Sequence, residues 1–357
     1  MRLVAVILAG GKGERFWPKS RSNFPKQFIT LFGKDSLLQQ TYQRVRKIVD
    51  VTNQYYVIPT SLIKLLRKQI PVLSKNIIEE PIGRNTAPAI GLAAIYLDKI
   101  APNSTMLILP ADHLIKKVNE FYNCVRFAYQ ISEQGYLVTF GIPPTSPDTG
   151  FGYIQTGKPY QTYQNMKSFY TLRFTEKPNL TLAKKYLKAK TYLWNSGMFI
   201  WQVSTILKAF EMYLPEFYQE LKEFQKYIGT RKEETKLIAM YKQAPATSID
   251  YAILEKAKNI ITIKANFEWD DVGSWLALER HFAKDQNGNT KIGKVVTKDS
   301  EDSIIVSNGE LVALMGIKNL VVVQSDDVTL VVSKDKVAEI KELLNQIKED
   351  KSLLKYL

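Results

Sequence analysis

The stretch VILAGGKGERFWPKSRSNFPKQF, residues 6–28, constrains this chain more than any other. The apolar run LVAVILA meets Gly10, Gly11 and Gly13, and Arg15, Lys19, Arg21 and Lys26 follow. Arg2 and seven apolar residues imitate a short export signal, at the lower limit of length for one. A buried parallel strand, β-branched and ending in glycine, explains the same letters and is the reading adopted. The loop matches neither common phosphate motif. A Walker loop needs G-x-x-x-x-G-K-[ST], yet five positions after Gly10 and Gly11 stand Arg15 and Phe16. A dinucleotide fingerprint needs a third glycine where Phe16 stands. The physics of the loop remains. Glycines after a buried strand let backbone N–H groups turn toward an anion. The carboxyl end of a strand is where open α/β sheets bind ligands. Arg15 and Lys26 add a planar fork and a point charge where phosphates would sit.

Strand and helix patterns alternate beyond the loop. SLLQQTYQRVRKIV (36–49) has helical spacing, QYYVIPT reads as a strand, and NTAPAIGLAAIYLDKI (85–100) as a helix capped by Asn85 or Thr86 with Pro88 in its first turn. TMLILPADH (105–113) is a third buried strand with a polar end, FYNCVRFAYQIS is helical, and YLVTFGI is a strand. This order argues for a Rossmann-like, doubly wound α/β sheet. GFGYIQTG, SFYTLRFTEKP and WNSGMFIWQ read as short strands, and a long helical segment is interrupted at Pro215. The polar DQNGNTKIG marks a boundary near residue 285. The expected domains are therefore a catalytic part, 1–285, and a small β-rich part, 286–357, of β-solenoid character and ending in an amphipathic helix.

Composition excludes several classes of protein. The single Cys124 allows no internal disulfide and suits a reducing, cytoplasmic compartment. With two histidines, His113 and His281, a zinc site of His and Cys is disfavoured, and a metal is expected to be a hard cation on carboxylates. No run approaches the ~18 apolar residues of a membrane helix. The net charge of +14 suits anionic partners, but segments such as LAKKYLKAK alternate lysine with apolar residues as solvated helix faces do. A basic nucleic-acid-binding protein would cluster its cations beside exposed aromatics; here they are spread along the chain.

LAGGKGERFWPKSRSNFPKQF resembles the signature of the sugar-1-phosphate nucleotidyltransferases, and its FWPKSR…PKQF form resembles the mannose-1-phosphate guanylyltransferase branch. EPIGRNTAPA (80–89), PADH (110–113), GFGYIQTG (150–157), FTEKP (174–178), WNSGMFIW (194–201), SIDYAILEK (248–256) and WDDVGSW (269–275) follow in that family's order. Phe16 and Lys19 depart mildly from the pattern at positions that carry no required charge. The likeness covers residues 1–285, the tail is similar to the small β-rich domain of short members, and no cupin-like isomerase domain is expected.

The resemblance implies GMP transfer from GTP to mannose 1-phosphate, with Mg²⁺ as cofactor and GDP-mannose and pyrophosphate as products. Two polyanions must meet, so positioning and charge neutralisation carry such a reaction. Gly10, Gly11 and Gly13 would cradle the nucleotide, Arg15 the triphosphate and leaving pyrophosphate, and Lys26 the joining phosphates. Asp112 and Asp271 would hold the metal; Asp270 is the adjacent alternative, and the family pattern places the ligand directly before Val-Gly-Ser. Asn85, Thr86 and Pro88 belong to the expected base pocket. Gly152, Glu176, Lys177 and Asn195 belong to the sugar-phosphate side. Trp194, Phe199 and Trp201 are read as core and His113 as a loop residue, while Lys12, Lys19 and Arg21 carry no assigned role. The expected partners are the two substrates and a second copy of the chain, with no nucleic acid and no membrane. The rival reading is a transferase of the same fold with another hexose or base.

Overall fold

The computed structural model describes residues 2–357. The chain divides into two compact units: Met1–Gly10, Thr41–Ala111 and Ile115–Trp269 form the first, and Gly11–Gln40, Asp112–Leu114 and Asp270–Leu357 the second.

Among the described residues of the first unit, nine strands form one mixed sheet. The apolar runs of the sequence supply its centre: β1 (Arg2–Leu8), β2 (Gln54–Pro59), β3 (Ile77–Glu80) and β4 (Ser104–Pro110) run parallel. β5 (Leu114–Lys116) lies outside the main sheet. β6 (Leu137–Ile142), β7 (Tyr153–Tyr163), β8 (Met166–Thr175), β9 (Tyr192–Gln202) and β10 (Ile260–Lys264) complete the order β3-β2-β1-β4-β9-β6-β10-β8-β7. β9 is antiparallel to both β4 and β6, which makes the sheet mixed. Val4 to Ile7 of β1 are fully buried, as a strand covered on both faces requires.

The helices follow their local signals. α1 (Leu37–Val45) ends four residues before the apolar spacing does, and tighter turns carry the chain to Val49. α2 (Ile63–Gln69), α3 (Thr86–Ile100), α4 (Val118–Ser132) and α5 (Leu180–Ala189) follow. α3 is apolar on most of its surface and buries residues from Ala87 to Leu97, so it is a core helix. The long pattern of the middle breaks into α6 (Val203–Tyr213) and α7 (Pro215–Gln225) because Pro215 suits only a first helical turn. α8 (Glu233–Gln243) closes this layer, and β11 (Glu268–Asp270) pairs with β5. Trp201 and Phe199 stack in the core, 5.1 Å between centroids, and Trp194 is buried against Phe151 at 4.9 Å.

The second unit contains the tail strands. β12 (Thr290–Ile292), β14 (Ile304–Val306) and β16 (Leu320–Gln324) stack in parallel, as do β13 (Val295–Lys298) and β15 (Val312–Met315), a coil of β-helix type. An antiparallel β17 (Thr329–Ser333) and α9 (Ile340–Glu349) end it. The start of the glycine loop is built into this core. Phe16 and Trp17 cluster with Trp275, Ile304, Val321 and Leu344. Trp17 Nε1 donates to the Tyr356 carbonyl at 2.7 Å, and Trp275 Nε1 donates to the Trp17 carbonyl at 3.0 Å. Arg21 pairs with Asp327 at 2.5 Å and also donates to the Tyr356 carbonyl. Burial lowers the Lys19 pKa, with Asp326 opposing. Arg21, a cation without a role in the sequence reading, thus ties the loop to the tail.

Candidate active site

The second unit brings Lys26, Asp112 and Asp271 together from three chain segments. Lys26 follows Pro25 in a short 3₁₀ turn, and its side chain is only 8% exposed. Its Nζ donates to Asp112 Oδ2 at 2.8 Å and to the Asp271 carbonyl at 2.5 Å. Asp112 stands two residues beyond the end of β4. Burial raises its pKa, but Lys26 and then His113 outweigh that, and the net shift is downward. His113 Nε2 lies 4.0 Å from Asp112 Oδ1.

Gly13 adopts φ 63°, and a Cβ there would stand 2.3 Å from Lys26 Cβ. Only glycine lets the loop lie against the lysine in this way. Gly11 touches nothing within 4 Å of its own Cβ position, and that face of the loop is open.

Asp270 and Asp271 are adjacent in sequence and opposite in environment. Asp270 is buried; Arg280 Nε and His281 Nε2 contact its Oδ2 at 2.6 and 2.7 Å, and Val272 N–H donates to Oδ1 at 2.7 Å. These partners overcome burial and hold its pKa far below the usual range. Asp271 keeps its carboxyl free of such a shell. Burial pushes it up to about 6, Lys26 and Arg15 oppose, and the charges of Asp270 and Asp112 add to the rise. Val272, next in sequence, is fully buried at φ 49°, a strained conformation for a β-branched residue. Its buried side chain and its N–H bond to the Asp270 carboxylate hold that turn. Arg15 is exposed, with a guanidinium nitrogen 3.6 Å from the Cβ position of Gly273.

Asp112 and Asp271 are hard oxygen donors beside one lysine, and the raised Asp271 carboxyl is a charge that a cation would stabilise. Among the described residues no group of three or more His, Cys, Asp or Glu is arranged to hold a metal. Two carboxylates fit a cation that completes its shell with phosphate and water, as magnesium does, rather than one caged by protein.

The remaining expected residues lie in the first unit. Asn85 (φ 73°) caps α3, its Oδ1 accepting from Thr86 N–H at 2.8 Å. Thr86 Oγ1 accepts from Ile249 N–H at 2.9 Å, and Pro88 is buried in the first turn. Both side chains therefore have structural partners. Gly152, Glu176 and Asn195 form one cluster: Asn195 N–H donates to the Gly152 carbonyl at 2.8 Å, and a Cβ on Gly152 would meet Glu176 Oε2 at 2.3 Å. Lys177, at φ 45° and exposed, pairs with Glu176 at 2.6 Å. Asp250 completes the cluster and was not among the expected residues. It accepts from Asn195 Nδ2 at 2.7 Å, and burial, then Glu176, pushes it up to about 6. SIDYAILEK contained it, but an acid in an apolar helical stretch gives no sign of a partner 55 residues away.

A glycine loop, a buried lysine and a carboxylate pair on a mixed α/β fold define the class of nucleotidyl transferases, whose family model matches residues 4–288. A MannoseP isomerase/GMP-like beta-helix domain matches residues 293–347. An Escherichia coli mannose-1-phosphate guanylyltransferase is 39% identical over 352 residues, 97% of this chain and 75% of that protein. One from Klebsiella pneumoniae is 36% identical over 98% of this chain and 74% of its own. A crystal structure from Thermus thermophilus, described as a mannose-1-phosphate geranyltransferase, is 31% identical with a TM-score of 0.87, covering 98% of this chain and all of that one. The chain belongs to the mannose-1-phosphate guanylyltransferase family of nucleotidyl transferases. No helix among the described residues is long and apolar enough to cross a membrane.

Proposed function

We propose that this protein transfers GMP from GTP to α-D-mannose 1-phosphate, releasing pyrophosphate and forming GDP-mannose. A phosphate oxygen of the sugar phosphate attacks the α-phosphorus of GTP in line with the departing pyrophosphate. No protein nucleophile is needed, because the sugar phosphate is already ionised. The observation that carries the reading is the Lys26 ammonium, buried yet set between the Asp112 carboxylate and the Asp271 carbonyl behind an open glycine loop.

Each residue has a role in this reading. Lys26 neutralises the two phosphates as they approach, and the exposed Arg15 takes the leaving pyrophosphate. Gly10, Gly11 and Gly13 admit the nucleotide backbone-close. Asn85, Thr86 and Pro88 shape the base pocket at the start of α3. Glu176 and Asn195 bind hexose hydroxyls beside Gly152, and Lys177 binds the sugar phosphate. Asp112 and Asp271 would hold Mg²⁺, which when bound supplies positive charge to phosphate oxygens.

The two family-model matches support a catalytic part, 1–285, and a C-terminal part, 286–357, for packing or assembly. Exposed Val296, Leu311, Met315 and Val331 on the tail support a homodimer. The lone buried Cys124 suits a cytoplasmic setting. The decisive test mixes the protein with Mg²⁺, mannose 1-phosphate and each nucleoside triphosphate, and follows pyrophosphate. Release is expected with GTP; no release, or faster release with another nucleotide, overturns the reading.

A further inference from the structure

We propose that Asp270 is a positioning residue for Lys26, acting through the one peptide group that joins Asp271 to Val272. This rests on the role given to Lys26 above. All of the residues involved lie in the second unit. The N–H of that peptide group donates to Asp270 Oδ1 at 2.7 Å, and its carbonyl accepts from Lys26 Nζ at 2.5 Å. A peptide group is planar and rigid, so a hold on its N–H fixes the direction of its carbonyl. The Lys26 ammonium is a point charge on a flexible four-carbon stem. Its bond to Asp112 Oδ2 at 2.8 Å would by itself let the charge swing about that oxygen. The Asp271 carbonyl is the second acceptor that sets where the charge stands. The Asp270 charge also polarises the peptide group and makes its carbonyl a stronger acceptor.

Asp270 can act as an anchor because it is itself clamped. Arg280 donates from Nε to Oδ2 at 2.6 Å and from Nη2 to Oδ1 at 2.8 Å, a two-pronged pair. His281 Nε2 stands 2.7 Å from Oδ2, where only an N–H suits a carboxylate. The clamp carries two local costs. Val272 is held at φ 49°, and His281 Nδ1 is buried without a hydrogen-bond partner among the described residues. Both costs fall on the residues that fix this one peptide group. An asparagine at position 270 could still accept through one oxygen, but its amide N–H groups would face donors of Arg280 and His281 or the Val272 N–H. The clamp would open, and the charge behind the peptide group would be gone.

The test is a double-mutant cycle read by pyrophosphate release with GTP, mannose 1-phosphate and Mg²⁺, on the native chain, Asp270→Asn, Lys26→Met and the double variant. Asp270→Asn should lower kcat about 10- to 100-fold, the range for one hydrogen bond to a charged group. In the Lys26→Met background the same substitution should lower kcat less than about threefold, because the group it positions is absent. A merely structural role predicts the full loss in both backgrounds. Arg280→Gln, at a side chain that is 50% exposed, runs the same cycle if Asp270→Asn does not fold. It should lower kcat about 3- to 10-fold, with Arg280→Lys recovering part of that. Losses that multiply in the Lys26→Met background overturn the assignment, as does a folded Asp270→Asn protein with kcat within about threefold of native. In both cases GTP turnover by the native chain still stands. A native protein releasing no pyrophosphate from GTP overturns the guanylyltransferase reading and this one together.

Discussion

Replacing Lys26 with Met keeps the stem and removes the charge. The ammonium lies 2.8 Å from Asp112 Oδ2. At an effective dielectric near 20, Coulomb's law assigns the pair about 6 kcal/mol before desolvation. Breaking a buried pair costs about 3–5 kcal/mol net. The Asp112 side chain is 30% exposed, so water recovers part of that loss, and about 2–3 kcal/mol of folding stability should go. A domain of ordinary stability survives this. The effect on turnover is larger in consequence. A charge placed where negative charge develops is worth about 3–4 kcal/mol in the transition state, or roughly 10²–10³ in kcat. Urea unfolding measures the first quantity, and pyrophosphate release at saturating GTP and mannose 1-phosphate measures the second. A folded Lys26→Met protein with kcat within tenfold of the native value would refute the role given to this lysine. An unchanged urea midpoint would refute the energetics of the pair.

Two further substitutions probe the loop and the Asp250 cluster. Gly13→Ala places a Cβ 2.3 Å from Lys26 Cβ at a backbone φ of 63°; strain and overpacking together should cost about 2–4 kcal/mol and reduce turnover by displacing Lys26, and a urea midpoint equal to the native one would contradict this. Asp250 has its pKa raised from 3.8 to about 6, by burial first and then Glu176. The folded state therefore holds that proton more tightly than the unfolded chain. Its contribution to stability is full below about pH 4 and is lost as pH rises through about 6, a span of up to about 3 kcal/mol. Asp250→Asn should remove that slope, so variant minus native stability should rise between pH 4.5 and 7.5 in urea titrations; parallel curves would reject the assignment.

Short-range patterns settled much of this protein from its letters. The run Val4–Ile7 can be covered on both faces only as a central strand, and it is. The long helical pattern was expected to break at Pro215, and α6 ends at Tyr213 and α7 begins at Pro215. The spacing of Asn85, Thr86 and Pro88 implied a capped helix, and α3 starts with the Asn85 cap. These outcomes depend on sterics and hydrogen bonds within a few residues. The same rules made Asp270 and Asp271 neighbours of equal standing. Their difference arises because Arg280, His281 and the Val272 N–H engage one of them while burial dominates the other.

Long-range pairing lies beyond such rules. Lys26 meets the Asp271 carbonyl across 245 positions, Arg21 meets Asp327 across 306, and Asp250 meets Asn195 across 55. Sequence alone shows charges of suitable kind in a suitable order; only the path of the backbone decides which of them share a low-dielectric site. The need for glycine at position 13 was legible because glycine's conformational freedom is local. The membership of Gly11–Gln40 in the same compact unit as the tail was decided by tertiary packing, where burial sets the energy.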